Sequence, residues 1–147
     1  ASMYDLMQDT QPTHIILPVG TGTTLAGILA AATPDIEVIA IPVLKGLNDM
    51  IERIKSISPK ANLNRLSIWE DYHFGGYAKK TPELIHFMNQ FYNDYQIPTD
   101  FVYTAKMMYG VMEKIKSGYF PPHSRIRCMH TGGLQGNLSL PKGTLCF

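Results

Sequence analysis

Apolar positions fall along this chain in runs of two kinds. Residues 15–17 (IIL) and 37–43 (EVIAIPV) are short, nearly continuous and β-branched, as strands covered on both faces are. Between them, residues 23–32 read as an alanine-rich helix that ends at Thr33-Pro34-Asp35, so strand, helix and strand form a βαβ crossover. The second kind repeats at helical spacing. Leu47, Met50, Ile51, Ile54 and Ile57 do so before Ser58-Pro59. Leu84, Phe87, Met88, Phe91 and Tyr95 follow a helix start at Thr81-Pro82-Glu83, with Thr81 as the cap and Pro82 in the first turn. Met107, Met108, Val111, Met112 and Ile115 lie on one side of a helix over residues 104–117, which Gly118 ends. Weaker strands are predicted over 66–69 and 125–130, and residues 3–8 have helical character that Gln11-Pro12 closes.

The order predicts an α/β fold with a largely parallel sheet flanked by helices and no linker dividing the chain. In such a sheet, ligands gather beyond the carboxyl ends of the strands. Three loops follow strands in that way: residues 20–24, 75–77 and 131–133.

Composition narrows the function classes. With 147 residues, 45% hydrophobic and 17% charged, the chain can build one sizeable core. A net charge of +1 gives no electrostatic footprint for nucleic acid. No apolar run approaches the roughly 20 residues of a membrane span. Cys128 and Cys146 form no CxxC pair, which sets the expectation of a reducing cytoplasm. His73, His86, His123 and His130 lack metal-ligand spacing, so no metal is expected. Cys128 and His130, two apart on a strand, have no third orienting group and are read as lining the sheet.

The strongest chemical signal is LPVGTGTTLAG. Gly20 and Gly22 let a ligand approach the backbone, Thr21, Thr23 and Thr24 offer hydroxyls, and the following helix presents unpaired N–H groups to an anion. The third glycine of a dinucleotide fingerprint is replaced by Leu25, and the Gly-Lys-Ser/Thr ending of a P-loop is absent. The turn is therefore either a phosphate seat or merely tight. A non-catalytic α/β module that binds a phosphorylated small molecule is one function compatible with it.

Read together, LPVGTGTTLAG, GGYAKKTPE, DFVYTAKMMYG and KSGYFPPHSRIRCMHTGG resemble the C-terminal half of the enzymes comprising D-cysteine desulfhydrase and 1-aminocyclopropane-1-carboxylate deaminase, over about residues 14–136. These are fold-type-II, tryptophan-synthase-β-like enzymes that use pyridoxal 5'-phosphate. The resemblance implies that residues 1–147 are one cofactor-binding domain, the C-terminal portion of a longer enzyme that turns an amino acid into a 2-oxo acid and ammonia, with sulfide from D-cysteine. It implies that Gly20, Thr21, Gly22, Thr23 and Thr24 hold the cofactor phosphate, that Tyr103 and Tyr77 are the active-site tyrosines, and that Thr131 and Gly132 lie at the pyridine nitrogen with Thr104 nearby. A phenol can move a proton there if its pKa is lowered toward working pH. The deaminase branch has glutamate and leucine where this chain has Thr104 and Thr131, which leaves the ring a weaker electron sink and suits β-elimination.

The family's Schiff-base lysine and its carboxylate-gripping Ser-Asn loop precede the phosphate turn, and residues 1–13 contain no lysine. The 147-residue chain is thus expected to be silent alone. Lys106, beside Met107 on an amphipathic helix, is expected to be a solvated surface residue. Apolar surface left uncovered in such a fragment predicts a homo-oligomer.

Overall fold

The structure is a computed structural model that describes residues 11–44, 49–130 and 132–147. Four strands, β1 (His14–Val19), β2 (Glu37–Pro42), β3 (Leu66–Ile68) and β4 (Ile126–Cys128), make an all-parallel sheet in the order β3-β2-β1-β4. The helices are α1 (Thr23–Ala31), α2 (Met50–Ile57), α3 (Pro82–Tyr95) and α4 (Thr104–Lys116). The expected helix over residues 3–8, and Leu47, lie outside the described residues.

The continuous apolar runs reflect position in the sheet. Every residue of β1 is buried, because neighbours flank it and helices cover both its faces. Ile15, Leu17 and Val19 pack with Val38 and Ala40 of β2 against Leu25, Ile28 and Leu29 of α1 and Ile54 of α2. Ile16 and the β2 residues Ile39 and Ile41 turn to the opposite face, against Met107 and Val111 of α4 with Trp69 and Tyr72. Leu84 and Met88 of α3 add an outer layer, packing with Phe101, Val102 and Ala105 at the start of α4.

β4 is shorter than the expected 125–130, and both edge strands carry only half-buried residues. Tyr95 and Ile115, the last residues of the two apolar stripes, are 52% and 48% exposed, because they lie in the last turns of α3 and α4. Thr81 caps α3 as expected, accepting from the Leu84 N–H at 3.2 Å.

The chain builds β1, β2 and β3 to one side and then returns to place β4 on the other side of β1. That reversal is a topological switch point. In open α/β sheets ligands bind in the crevice outside the carboxyl ends of the strands, at such a point.

Candidate functional site

The turn after β1 stands at this crevice. Gly22 takes φ 89°, in the left-handed region, and occupies the N-cap of α1. No side chain caps α1, and no acidic residue lies in its first turn. Its leading N–H groups therefore carry the positive end of the helix dipole with no competing carboxylate. Thr21, Thr23 and Thr24 are exposed, and the Thr21 and Thr23 hydroxyls are 3.3 Å apart. Gly22 itself is buried, and a Cβ built on it would meet nothing within 4 Å beyond its chain neighbours, so its positive φ is what calls for glycine there.

Tyr103, immediately before α4, closes one side of the turn. A Cβ on Gly20 would lie 3.4 Å from the Tyr103 ring and 3.7 Å from its hydroxyl. The Tyr77 ring meets the Tyr103 ring edge to face, centroids 6.2 Å apart. The structure thus brings Gly20, Tyr103 and Tyr77 together. Burial pushes the Tyr103 phenol above its ordinary pKa, and the Tyr77 hydroxyl and the Asp100 charge push the same way. The direction is opposite to what a phenolate base needs.

Thr104 is placed differently from Tyr103 although the two are adjacent. It is fully buried; its hydroxyl donates to Asp100 Oδ1 and accepts from the Asp100 N–H, both at 2.9 Å. That hydroxyl is committed within the loop. Gly132 is exposed, and Thr131 lies outside the described residues.

Two residues bearing on the site were missed by sequence reasoning. Asp100, 3% exposed, organises the entry to α4: Oδ2 accepts from the Val102 N–H (3.0 Å) and the Tyr103 N–H (3.2 Å), and Oδ1 from the Thr104 N–H (3.0 Å). The signal was present, since aspartate just ahead of a helix commonly satisfies the N–H groups that follow it.

Lys106 corrects the expectation of a solvated surface residue. It is 0% exposed, and Nζ donates to the Gly76 carbonyl at 2.8 Å. Residues 104–107 are all buried, because the first turns of α4 are covered on the sheet side and again by α3 and the residues it carries. An amphipathic reading assigns a polar face to solvent that here does not reach it. Burial lowers the Lys106 pKa to about 8, with the Asp100 charge opposing the shift.

Cys128 packs in the layer beneath α4, where burial pushes its thiol up to about 11. His130 is exposed, with Nε2 3.0 Å from the Pro98 carbonyl. Among the described residues, no group of three or more His, Cys, Asp or Glu is arranged to hold a metal ion. Among the same residues, no helix is long and apolar enough to cross a membrane.

A parallel sheet covered on both faces, with a Gly-Thr turn entering a helix at the switch point, is the architecture of fold-type-II pyridoxal-phosphate enzymes. No family model matches the chain. It is 28% identical over 143 residues to a Pyrococcus furiosus protein provisionally named 1-aminocyclopropane-1-carboxylate deaminase, a match taking in 90% of this chain and 43% of that protein. A Pyrococcus abyssi protein with the same provisional name is 30% identical over 133 residues, 83% of this chain and 39% of its own length. The 1-aminocyclopropane-1-carboxylate deaminase of a Bradyrhizobium strain is 26% identical over 133 residues, 82% of this chain and 39% of that enzyme. A crystal structure described as an ACC deaminase homologue superposes with a TM-score of 0.72 at 25% identity, over 91% of this chain and 44% of that one. Over 82% to 90% of its length the chain is thus similar to proteins named 1-aminocyclopropane-1-carboxylate deaminase. It spans 39% to 43% of the length of these curated relatives.

The turn has donors of the kind a phosphate requires: an uncapped helix start and exposed threonine hydroxyls. Lys106 does not suit covalent attachment of the cofactor, because its amine is enclosed and bonded to the Gly76 carbonyl.

Proposed function

We propose that this chain forms the phosphate- and tyrosine-bearing part of the active site of a pyridoxal-phosphate-dependent deaminase or lyase acting on a small amino acid. The observation that carries the reading is the Gly20–Thr24 turn, with Tyr103 against Gly20 and Tyr77 beside it. When bound, pyridoxal phosphate supplies the electron sink that loosens bonds at the amino acid's α-carbon. The N–H groups at the start of α1 and the threonine hydroxyls hold its phosphate and fix its orientation. Tyr103, kept protonated by its surroundings, donates a hydrogen bond, and Tyr77, half exposed, reaches solvent and can pass a proton outward.

Thr104, where the deaminase branch has glutamate, places no carboxylate beside the pyridine ring, and Thr131 is the residue we assign to the ring nitrogen. That pairing favours elimination of a β-substituent over cyclopropane opening. D-cysteine and water would give pyruvate, ammonia and hydrogen sulfide. Free Cys128 and Cys146 fit a reducing cytoplasm.

The 147-residue chain is proposed to bind the cofactor without a covalent link and to be silent alone. Titration with pyridoxal phosphate should give saturable binding that inorganic phosphate competes away, without the absorption of a lysine-bound form. Addition of D-cysteine should release neither pyruvate nor sulfide. Turnover by the purified chain would overturn the proposed silence, and failure of pyridoxal phosphate to bind would overturn the cofactor assignment.

A further inference from the structure

We propose that Lys106 is a positioning residue that clamps the Gly76–Tyr77 peptide onto α4 and so fixes Tyr77 against Tyr103. The carbonyl it grips is the one whose carbon is bonded to the Tyr77 nitrogen, so the 2.8 Å bond from Nζ fixes the peptide plane from which Tyr77 projects. The loop needs such a hold. Phe74 (φ 54°), Gly75 (φ 97°), Gly76 (φ 122°) and Ala78 (φ 54°) all have positive φ, and two of them are not glycine. Backbone of this kind persists where surrounding structure enforces it.

The loop's own bonds are short-range: Gly76 N–H to the His73 carbonyl (3.2 Å), Lys79 N–H to the Gly76 carbonyl (3.1 Å) and Gly75 N–H to His73 Nδ1 (3.0 Å). Lys106 instead joins the loop to a helix thirty residues away in sequence. An apolar side chain of similar size would fill the same space without a desolvation cost. What the buried amine adds is one directed bond.

The other half of the arrangement lies at Asp100, just ahead of α4. Asp100 grips the Tyr103 N–H and is the charge that acts on Lys106. One stretch, residues 100–106, buried at every position except the half-buried Tyr103, therefore sets the backbone positions of both tyrosines. Their chemical role rests on the function proposed above, whereas the clamp does not and is tested without cofactor.

Lys106→Met keeps the length and bulk of the side chain and removes the donor. With 13C-labelled tyrosine, NMR should show the Tyr77 and Tyr103 rings no longer adjacent and Tyr103 titration falling back toward the ordinary phenol range, as it should in Tyr77→Phe. A merely structural lysine would lower stability and leave both signals in place, and that result in a folded variant overturns the proposal. If the variant does not fold, the unsubstituted chain decides: Nζ protons protected from exchange and coupled to the Gly76 carbonyl carbon are expected, and freely exchanging ones overturn it. A chain that shows the clamp yet does not bind pyridoxal phosphate loses the proposed function and keeps the clamp.

Discussion

Asp100→Asn is the substitution whose cost can be worked most directly from the structure. The carboxylate accepts from the N–H groups of Val102, Tyr103 and Thr104 and from the Thr104 hydroxyl, with two donors on each oxygen. Asparagine has the same shape but one acceptor oxygen. Wherever the amide nitrogen is placed, two buried donors face it and lose their partner. At about 1–3 kcal/mol for each donor left unsatisfied, the loss is about 2–6 kcal/mol. The lower half of that range applies, because the Thr104 hydroxyl can rotate to another acceptor, and about 3 kcal/mol is the expected value. A domain of ordinary stability has about 5–15 kcal/mol to lose. Urea unfolding followed by far-ultraviolet circular dichroism should show a midpoint lower by about 1–2 M at unchanged slope. Lys106 supplies an independent readout: burial lowers its pKa while the Asp100 charge raises it, so removing that charge should carry it further below about 8. A folded Asp100→Asn chain within about 1 kcal/mol of the parent, with Lys106 titrating as before, would refute the role given to Asp100.

Two further predictions concern the scaffold. Burial holds His14 below its usual 6.5 despite the attraction of Glu37, whose carboxylate is 3.2 Å away. Burial likewise pushes Glu37 up, but hydrogen bonds from Tyr119 and Ser67 and the charges of His14 and Arg65 bring it below its usual value. In both cases the unfolded chain binds the proton more tightly, so stability falls as pH drops, first below about 6.5 through His14 and then below about 4.5 through Glu37. His14→Gln should flatten the upper limb in denaturation curves taken between pH 5 and 7; an unchanged limb would assign it elsewhere. Gly110→Ala should destabilise by about 1 kcal/mol in thermal unfolding, since overpacking at about 1–3 kcal/mol exceeds the helix-propensity gain of about 1 kcal/mol. The new Cβ would lie 3.0 Å from the ring of Tyr72, which is buried and whose hydroxyl is bonded to Glu113. A higher melting temperature for the alanine variant would contradict that ordering of the two effects.

How much was legible in the sequence varies with how far each element depends on its neighbours. The runs at 15–17 and 37–43 identify β1 and β2 because a strand enclosed on both faces must be apolar at every position. The cap at Thr81 and the start of α1 at Thr23 are local chemistry, and the chain follows them closely. Lys106 was misread because periodicity describes one helix in solvent, whereas the first turns of α4 are enclosed by elements distant in sequence. Asp100 was overlooked although aspartate just ahead of a helix is a cap signal, because three of its four donors are backbone N–H groups that name no partner residue in the sequence. The packing of Tyr77 on Tyr103 depends on how the loop at 74–78 folds, and its left-handed backbone at Phe74 and Ala78 is not written in those residue types.

The buried carboxylate also bears on how the site can accept an anion. Asp100 belongs to the same loop as Tyr103, which lies against Gly20, so an exposed charge there would repel the phosphate proposed to sit at the Gly20–Thr24 turn. The structure uses that charge internally. Four donors surround the carboxylate, and the Lys106 ammonium lies close enough to be raised by it. The first turn of α1, by contrast, carries no acid and no side-chain cap, so its dipole faces the crevice unopposed. The stretch proposed to fix the tyrosines thus satisfies the Asp100 carboxylate internally, which fits the negatively charged ligand proposed for the start of α1.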